Sequence, residues 1–163
     1  VQLAKEFGAE VTGVCSTAKL DRLWSLGADH VVDYTRDNFT DGSTRYDLVL
    51  GIGGNLSLTR LRRALTPDGT LVVVGGEERG RLTGGFGRSL RAPLLSRLVS
   101  QRLTMLASKE RASDLERLTE IIEAGTLTPH IDSTYPLERV PEAMRHLESG
   151  DVFGKVAITI RGA

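Results

Sequence analysis

Short runs of β-branched and aliphatic residues recur along this chain with helical patterns between them, and that alternation limits the fold more than any other feature. The runs are Glu10–Cys15 (EVTGVC), His30–Tyr34 (HVVDY), Tyr46–Ile52 (YDLVLGI), Thr70–Gly75 (TLVVVG), Leu103–Ala107 (LTMLA) and Lys155–Ile160 (KVAITI). Several are nearly continuous in Val, Ile and Leu, the pattern of parallel strands covered on both faces. Between them lie amphipathic segments. Val1, Leu3, Ala4 and Phe7 stand at helical spacing before Gly8, so the first residue already reads as part of a helix. Leu20, Leu23, Trp24 and Leu26 share a face that stops at Gly27. Leu56, Leu58, Leu61 and Leu65 precede a Thr66-Pro67-Asp68-Gly69 turn. Ser113-Asp-Leu-Glu116 reads as a capping box opening a helix that ends at Gly125, and Pro141 fits the first turn of a helix closed by Gly150. Strand and helix in alternation predict an α/β fold, a doubly wound parallel sheet with right-handed crossovers.

A chain of 163 residues suits one domain over 1–163 with a substantial core. Lys plus Arg equals Asp plus Glu at 21 each, so net charge gives no reason to expect nucleic acid or an anionic membrane as partner. The single cysteine, Cys15, excludes an internal disulfide framework. No apolar run approaches the ~20 residues of a membrane span and no signal peptide is visible. The expectation is a soluble, cytoplasmic protein. One stretch departs from the rhythm: residues 79–102 carry six arginines and no acid. Two readings stand for it: a solvated loop and helix facing water or a neighbouring subunit, or a cover over an anionic ligand with Gly84, Gly85 and Gly87 lending freedom.

The stretches GAEVTGVCSTAKLDRLWSLGADHVVDY, YDLVLGIGG, ALTPDGTLVVVGG and YPLERVPEAMRHLESGDVFGKVAITI, in that order and spacing, resemble the cofactor-binding domain of the medium-chain dehydrogenase/reductase superfamily. That superfamily includes the zinc alcohol dehydrogenases and the quinone oxidoreductases. The resemblance covers nearly the whole chain and implies a Rossmann-type sheet. It also implies that the helix ending QLAKEFGA follows a strand and a glycine-rich turn that holds the cofactor pyrophosphate. On this reading the chain starts after that turn and lacks the N-terminal catalytic domain, and residues 151–163 are the return segment toward it. GIGG at 51–54 and GGFG at 84–87 lack the strand–turn–helix context that would let them substitute. Without the first strand, EVTGVC and YDLVLGI are expected to flank an unfilled gap, so that the isolated chain is inactive and is poorly stable, aggregates or closes the sheet in a non-family way.

Nicotinamide enzymes of this fold select NAD or NADP at the end of the second strand, where an acid bonds the ribose hydroxyls and repels a 2′-phosphate. Here that strand runs into Cys15-Ser16-Thr17-Ala18-Lys19, with no acid between Glu10 and Asp21. Ser16 and Thr17 can donate to phosphate oxygens and Lys19 adds charge. One charge-assisted hydrogen bond contributes roughly 1.5–3 kcal/mol, enough to favour NADPH by about tenfold. The alternative is that Ser16 or Thr17 caps the next helix while Lys19 is solvated. By resemblance, Tyr34 packs near the adenosine phosphate, and Gly51, Gly53, Gly54, Gly75 and Gly76 let the ribose and nicotinamide approach backbone. The chain differs from the family at Gly51, where an aspartate is common. Gly154-Lys155 matches a GK element and gives Lys155 a cofactor role, though a surface lysine opening a strand fits equally.

His30, His130 and His146 form no metal-ligand spacing, so zinc is not expected in this chain. No catalytic residue is assigned, because the family's hydride passes to a substrate held by the other domain. The expected function is the cofactor-binding part of an NADPH-dependent reductase of quinones, enones or small carbonyl compounds. Part of a zinc alcohol dehydrogenase is one alternative. An S-adenosylmethionine methyltransferase, whose strand-two acid is absent here, and a non-catalytic nucleotide-binding or interaction module are others. By analogy a homodimer is the expected assembly.

Overall fold

The computed structural model describes residues 1–53, 56–74, 99–107 and 109–160. In chain order the elements are α1 (Gln2–Glu6), β1 (Thr12–Cys15), a 3-10 turn (Thr17–Lys19), α2 (Leu20–Ser25), β2 (His30–Asp33), β3 (Tyr46–Gly51), α3 (Leu58–Arg63), β4 (Leu65–Val73) and β5 (Arg102–Met105). There follow α4 (Ala112–Glu123), β6 (Ile131–Pro136), a second 3-10 turn (Leu137–Arg139), α5 (Val140–Ser149) and β7 (Lys155–Thr159). Among the described residues the strands pair in three ladders, β1–β2, β3–β4–β5 and β6–β7, and every pairing is parallel. Parallel neighbours need a crossover, and α2, α3 and α5 lie in the connections that supply it.

The chain divides into two compact units, residues 1–33 with 110–163 and residues 34–109. In the second, α3 begins at Ser57, whose hydroxyl accepts from the Arg60 amide at 3.3 Å. Leu58 and Leu61 of α3 pack on Leu65, Leu71, Val73 and Leu103, which forms the buried core of this unit. The side chains at Leu48 and Leu50 alternate onto the other side of β3 and are exposed. Thr66-Pro67-Asp68-Gly69 does not separate helix from strand. Leu65 already pairs with Tyr46, and Thr70 then pairs with Leu48, so the four residues loop out of the ladder. A Cβ on Gly69 would stand 2.9 Å from the Tyr46 carbonyl oxygen, which explains a glycine there.

In the first unit, Asp29 joins α1 to the start of β1. Its carboxylate takes the Lys5 ammonium at 2.7 Å and the Val11 amide at 2.7 Å, and the Lys5 hydrogen bond first, then the Val11 amide, holds it below the usual carboxylate range. Gly27, Gly125 and Gly150 all end helices in the left-handed region. Pro141 lies in the first turn of α5. The capping box does not form: Arg111 occupies the cap of α4, and Ser113 lies inside the first turn. Leu115 is exposed while Ile121 is buried, so only part of the apolar stripe of α4 is covered.

Candidate site at the end of β1

β1 hands over to α2 through Ser16–Lys19. Ser16 is extended (φ −80°, ψ 159°), and one 3-10 turn follows, closed by the Lys19 amide on the Ser16 carbonyl at 2.9 Å. The Ser16 hydroxyl makes no capping bond. Thr17 gives its hydroxyl proton to Asp33 Oδ2. Asp33 ends β2, pairs in register with Cys15 and is 5% exposed. Lys19 Nζ donates to the carbonyl oxygens of Gly150 at 3.1 Å and Val152 at 3.5 Å. The turn therefore carries one ammonium, no carboxylate of its own and, behind it, the buried Asp33. Both charges reach Cys15: burial pushes its thiol up, the Asp33 charge pushes further, and Lys19 opposes them.

The loop that receives Lys19 is held in turn by Asp132 of β6. Oδ1 accepts the Phe153 amide at 3.0 Å and Oδ2 takes His146 Nε2 of α5 at 2.8 Å. Arg22 of α2 stands 3.9 Å from Oδ1 and places its guanidinium 5.1 Å over the Phe153 ring. His146 first, then the Phe153 amide, brings the Asp132 pKa down to about 2. Gly154 follows at φ +103°, where a Cβ would lie 2.3 Å from the His130 carbonyl oxygen. Lys155 opens β7 with its side chain exposed and its amide on that same carbonyl at 3.0 Å.

Of the residues assigned from sequence, Ser16, Thr17 and Lys19 share this one turn, and Lys155 starts β7 in the same unit. Tyr34, Gly51 and Gly53 belong to the second unit. Tyr34 is exposed. Gly51 ends β3, and a Cβ there would meet only ordinary contacts at 3.8–3.9 Å. Gly53 lies exposed beyond β3. Gly54, Gly75, Gly76 and most of the arginine-rich segment lie outside the described residues. Sequence reasoning misses Asp33 and the carbonyls of Gly150 and Val152. The one sequence signal for Asp33 is its place closing the run HVVD opposite the end of β1.

Among the described residues no three His, Cys, Asp or Glu side chains gather as metal ligands. The imidazoles are dispersed: His30 meets Glu10 at 2.8 Å, His146 meets Asp132, and His130 packs edge-on against Phe153. No helix among the described residues is long and apolar enough to cross a membrane. An open recess of about 400 Å³ lies between Gln2, Gly27, Thr128 and His130, and none of the assigned residues lines it.

Residues 26–158 match the family model described as zinc-binding dehydrogenase. The chain is 32% identical to a 2-methylene-furan-3-one reductase of Solanum lycopersicum over 162 residues, covering 97% of this chain and 36% of that protein. It is 30% identical over 162 residues to the chloroplastic NADPH-dependent alkenal/one oxidoreductase of Arabidopsis thaliana, with the same coverage of 97% and 36%. Among solved structures it superposes on an NAD-dependent alcohol dehydrogenase with a TM-score of 0.74 and 30% identity, covering 98% of this chain and 46% of that one. The chain thus spans between about a third and a half of these relatives. The parallel ladders with their helices are the doubly wound, Rossmann-type arrangement expected from the sequence.

Proposed function

Because the chain belongs to the zinc-binding dehydrogenase family of the medium-chain dehydrogenase/reductase superfamily, we propose that it is the cofactor-binding part of an NADPH-dependent oxidoreductase. Residues 1–163 act as one nucleotide-binding domain. The parent enzyme reduces quinones, enones or small carbonyl compounds. When bound, the nicotinamide supplies the hydride; this chain's residues bind and orient the cofactor. The reading rests on the turn after β1, which offers Lys19 and the Ser16 hydroxyl and carries no acid from Cys15 to Lys19. A ribose 2′-phosphate needs donors and positive charge, whereas a ribose diol is best held by a carboxylate at this place.

In this arrangement Ser16 and Lys19 donate to the 2′-phosphate, with Thr17 beside them. Tyr34 covers the adenosine side. Gly51, Gly53, Gly54, Gly75 and Gly76 leave room for the ribose and nicotinamide, and Lys155 adds a charge. One of these relatives is a reductase by name and another an NADPH-dependent oxidoreductase, which supports the reading of an NADPH-dependent reductase. Family membership sets aside the methyltransferase reading. The test is steady-state reduction of a quinone and an enone by the intact protein that contains this chain, with NADPH and NADH compared. We expect kcat/KM at least tenfold higher with NADPH, and a preference for NADH overturns the reading.

A further inference from the structure

The peptide unit between Val152 and Phe153 is held from both sides. Its N–H donates to Asp132 Oδ1 at 3.0 Å, and its carbonyl oxygen accepts from Lys19 Nζ at 3.5 Å. A peptide unit is planar and trans, so the acid that fixes the N–H also aims the carbonyl away from itself, toward the lysine. We propose that Asp132 is a positioning residue for coenzyme recognition: through this loop it keeps the Lys19 ammonium ordered for the 2′-phosphate of NADPH, and so sets coenzyme preference from outside the turn after β1. The proposal rests on the reading of Ser16–Lys19 as the adenosine-ribose site.

Asp132 is anchored well enough to do this. Its side chain is 15% exposed, its Oδ2 takes His146 Nε2 of α5 at 2.8 Å, and Arg22 of α2 stands 3.9 Å from Oδ1. Lys19 and Arg22 are three residues apart at the start of α2, and both end on the same loop, Arg22 over the Phe153 ring and Lys19 on the Gly150 and Val152 carbonyls. A lysine ammonium has three donors. Two are met by these carbonyls, which leaves one for a further acceptor. Held on the loop, the ammonium is still felt at the end of β1: the Cys15 thiol, pushed up first by burial and then by Asp33, is drawn down by Lys19. An already ordered lysine gives up less freedom when a phosphate engages it, so the ordering appears as affinity for the phosphorylated coenzyme. A neutral 2′-hydroxyl gains far less from a cation, and NADH is therefore nearly indifferent to the relay.

The test compares initial rates of enone reduction by the intact protein with NADPH and with NADH. Asp132→Ala is expected to raise KM for NADPH about three- to tenfold, with KM for NADH and kcat within about twofold of the parent. Asp132→Asn keeps an oxygen for the Phe153 amide and is expected to restore the parent NADPH/NADH ratio of kcat/KM to within about twofold. In a Lys19→Gln background, Asp132→Ala should leave that ratio where Lys19→Gln alone puts it, because both substitutions break one relay. A purely structural role would move both coenzymes together; equal changes, or none, in Asp132→Ala overturn the inference, and so does a ratio that shifts again in the double variant. Should Asp132→Ala fail to fold, Asp132→Ser, whose hydroxyl is a bond shorter than the carboxylate, is read by the same ratio. Lys19→Gln separates the two levels. If it leaves coenzyme preference untouched, the site reading fails; if it lowers NADPH efficiency while the Asp132 variants move nothing or both coenzymes alike, only this inference fails.

Discussion

Lys19 donates its ammonium to the carbonyl oxygen of Gly150, 131 residues further along the chain, at 3.1 Å. The bond ties the turn after β1 to the end of α5, and the longer contact to Val152 extends it to the loop before β7. A side chain that would otherwise sample many rotamers is thereby held on the loop between α5 and β7. Replacing Lys19 by Gln removes the charge and keeps donors. The expected result is a rise of about tenfold in KM for NADPH, the equivalent of one charge-assisted hydrogen bond of roughly 1.5 kcal/mol. KM for NADH should stay within twofold. Because Lys19 remains partly exposed, the loss of stability should not exceed about 1 kcal/mol, measured by urea denaturation.

Gly154 is a backbone requirement of a different kind. Its φ of +103° is costly for any residue with a Cβ, and the added atom would press on the His130 carbonyl at 2.3 Å. That carbonyl is not free to retreat, because it accepts the Lys155 amide at 3.0 Å and so registers the start of β7. Gly154→Ala should destabilise the chain by about 1–3 kcal/mol from the dihedral alone, with the clash adding to it. The check is the denaturation midpoint beside that of Gly125→Ala, where the dihedral is similarly positive but nothing lies within 4 Å. If the two variants lose equal stability, the contact with His130 adds nothing.

Acid sensitivity should centre on Asp132. Its folded-state pKa is held at about 2, against 3.8 for the free group, chiefly by His146 and then by the Phe153 amide. A depressed pKa means that the folded state favours the ionised form. Its contribution to stability is therefore fully present above pH 4 and is lost as pH falls from about 4 toward 2. Asp29, held low first by Lys5, and Glu142, held low by Arg139, act in the same direction. Stability measured by denaturant titration should fall across that window, and Asp132→Asn should flatten the fall. An unchanged slope in the variant would mean that other carboxylates carry it.

How far the sequence reveals this structure depends on how local each signal is. β1, β2, β3, β5 and β7 are legible because aliphatic runs and glycine stops are properties of a few adjacent residues. β6 is not: IDSTYP has no aliphatic run and ends in proline, and it becomes a strand by pairing with β7 from Ile131↔Lys155 to Pro136↔Thr159. The Thr66–Gly69 turn is legible as a turn but not as a loop-out within β4, since that depends on Leu65 finding Tyr46 across the ladder. Ser113 has the pattern of a cap, yet the cap is Arg111, two residues earlier. At the candidate site, Ser16, Thr17 and Lys19 can be singled out because the family resemblance marks the strand before them as the one that ends at the adenosine ribose. Asp33 cannot, because its place behind the turn arises from the register that sets it beside Cys15 and from Thr17 folding back onto it.

The same ladder that buries Leu71 exposes Leu50, and the two should answer truncation differently. Leu71 in β4 is 0% exposed and packs among Leu58, Leu61, Leu65, Val73 and Leu103. Leu50 in β3 pairs with Val72 and is 53% exposed on the opposite side. Leu71→Ala removes buried methyl groups and leaves a cavity that a close-packed core refills only in part, so a loss of about 2–5 kcal/mol is expected. Leu50→Ala gives up contacts that are half made, and the strand cost of alanine is small, so its loss should be below about 1 kcal/mol. Both are measured from urea midpoints at constant slope. Comparable losses would mean that the outer side of β3 is covered in the folded protein, and that Leu48 and Leu50 belong to a second apolar layer.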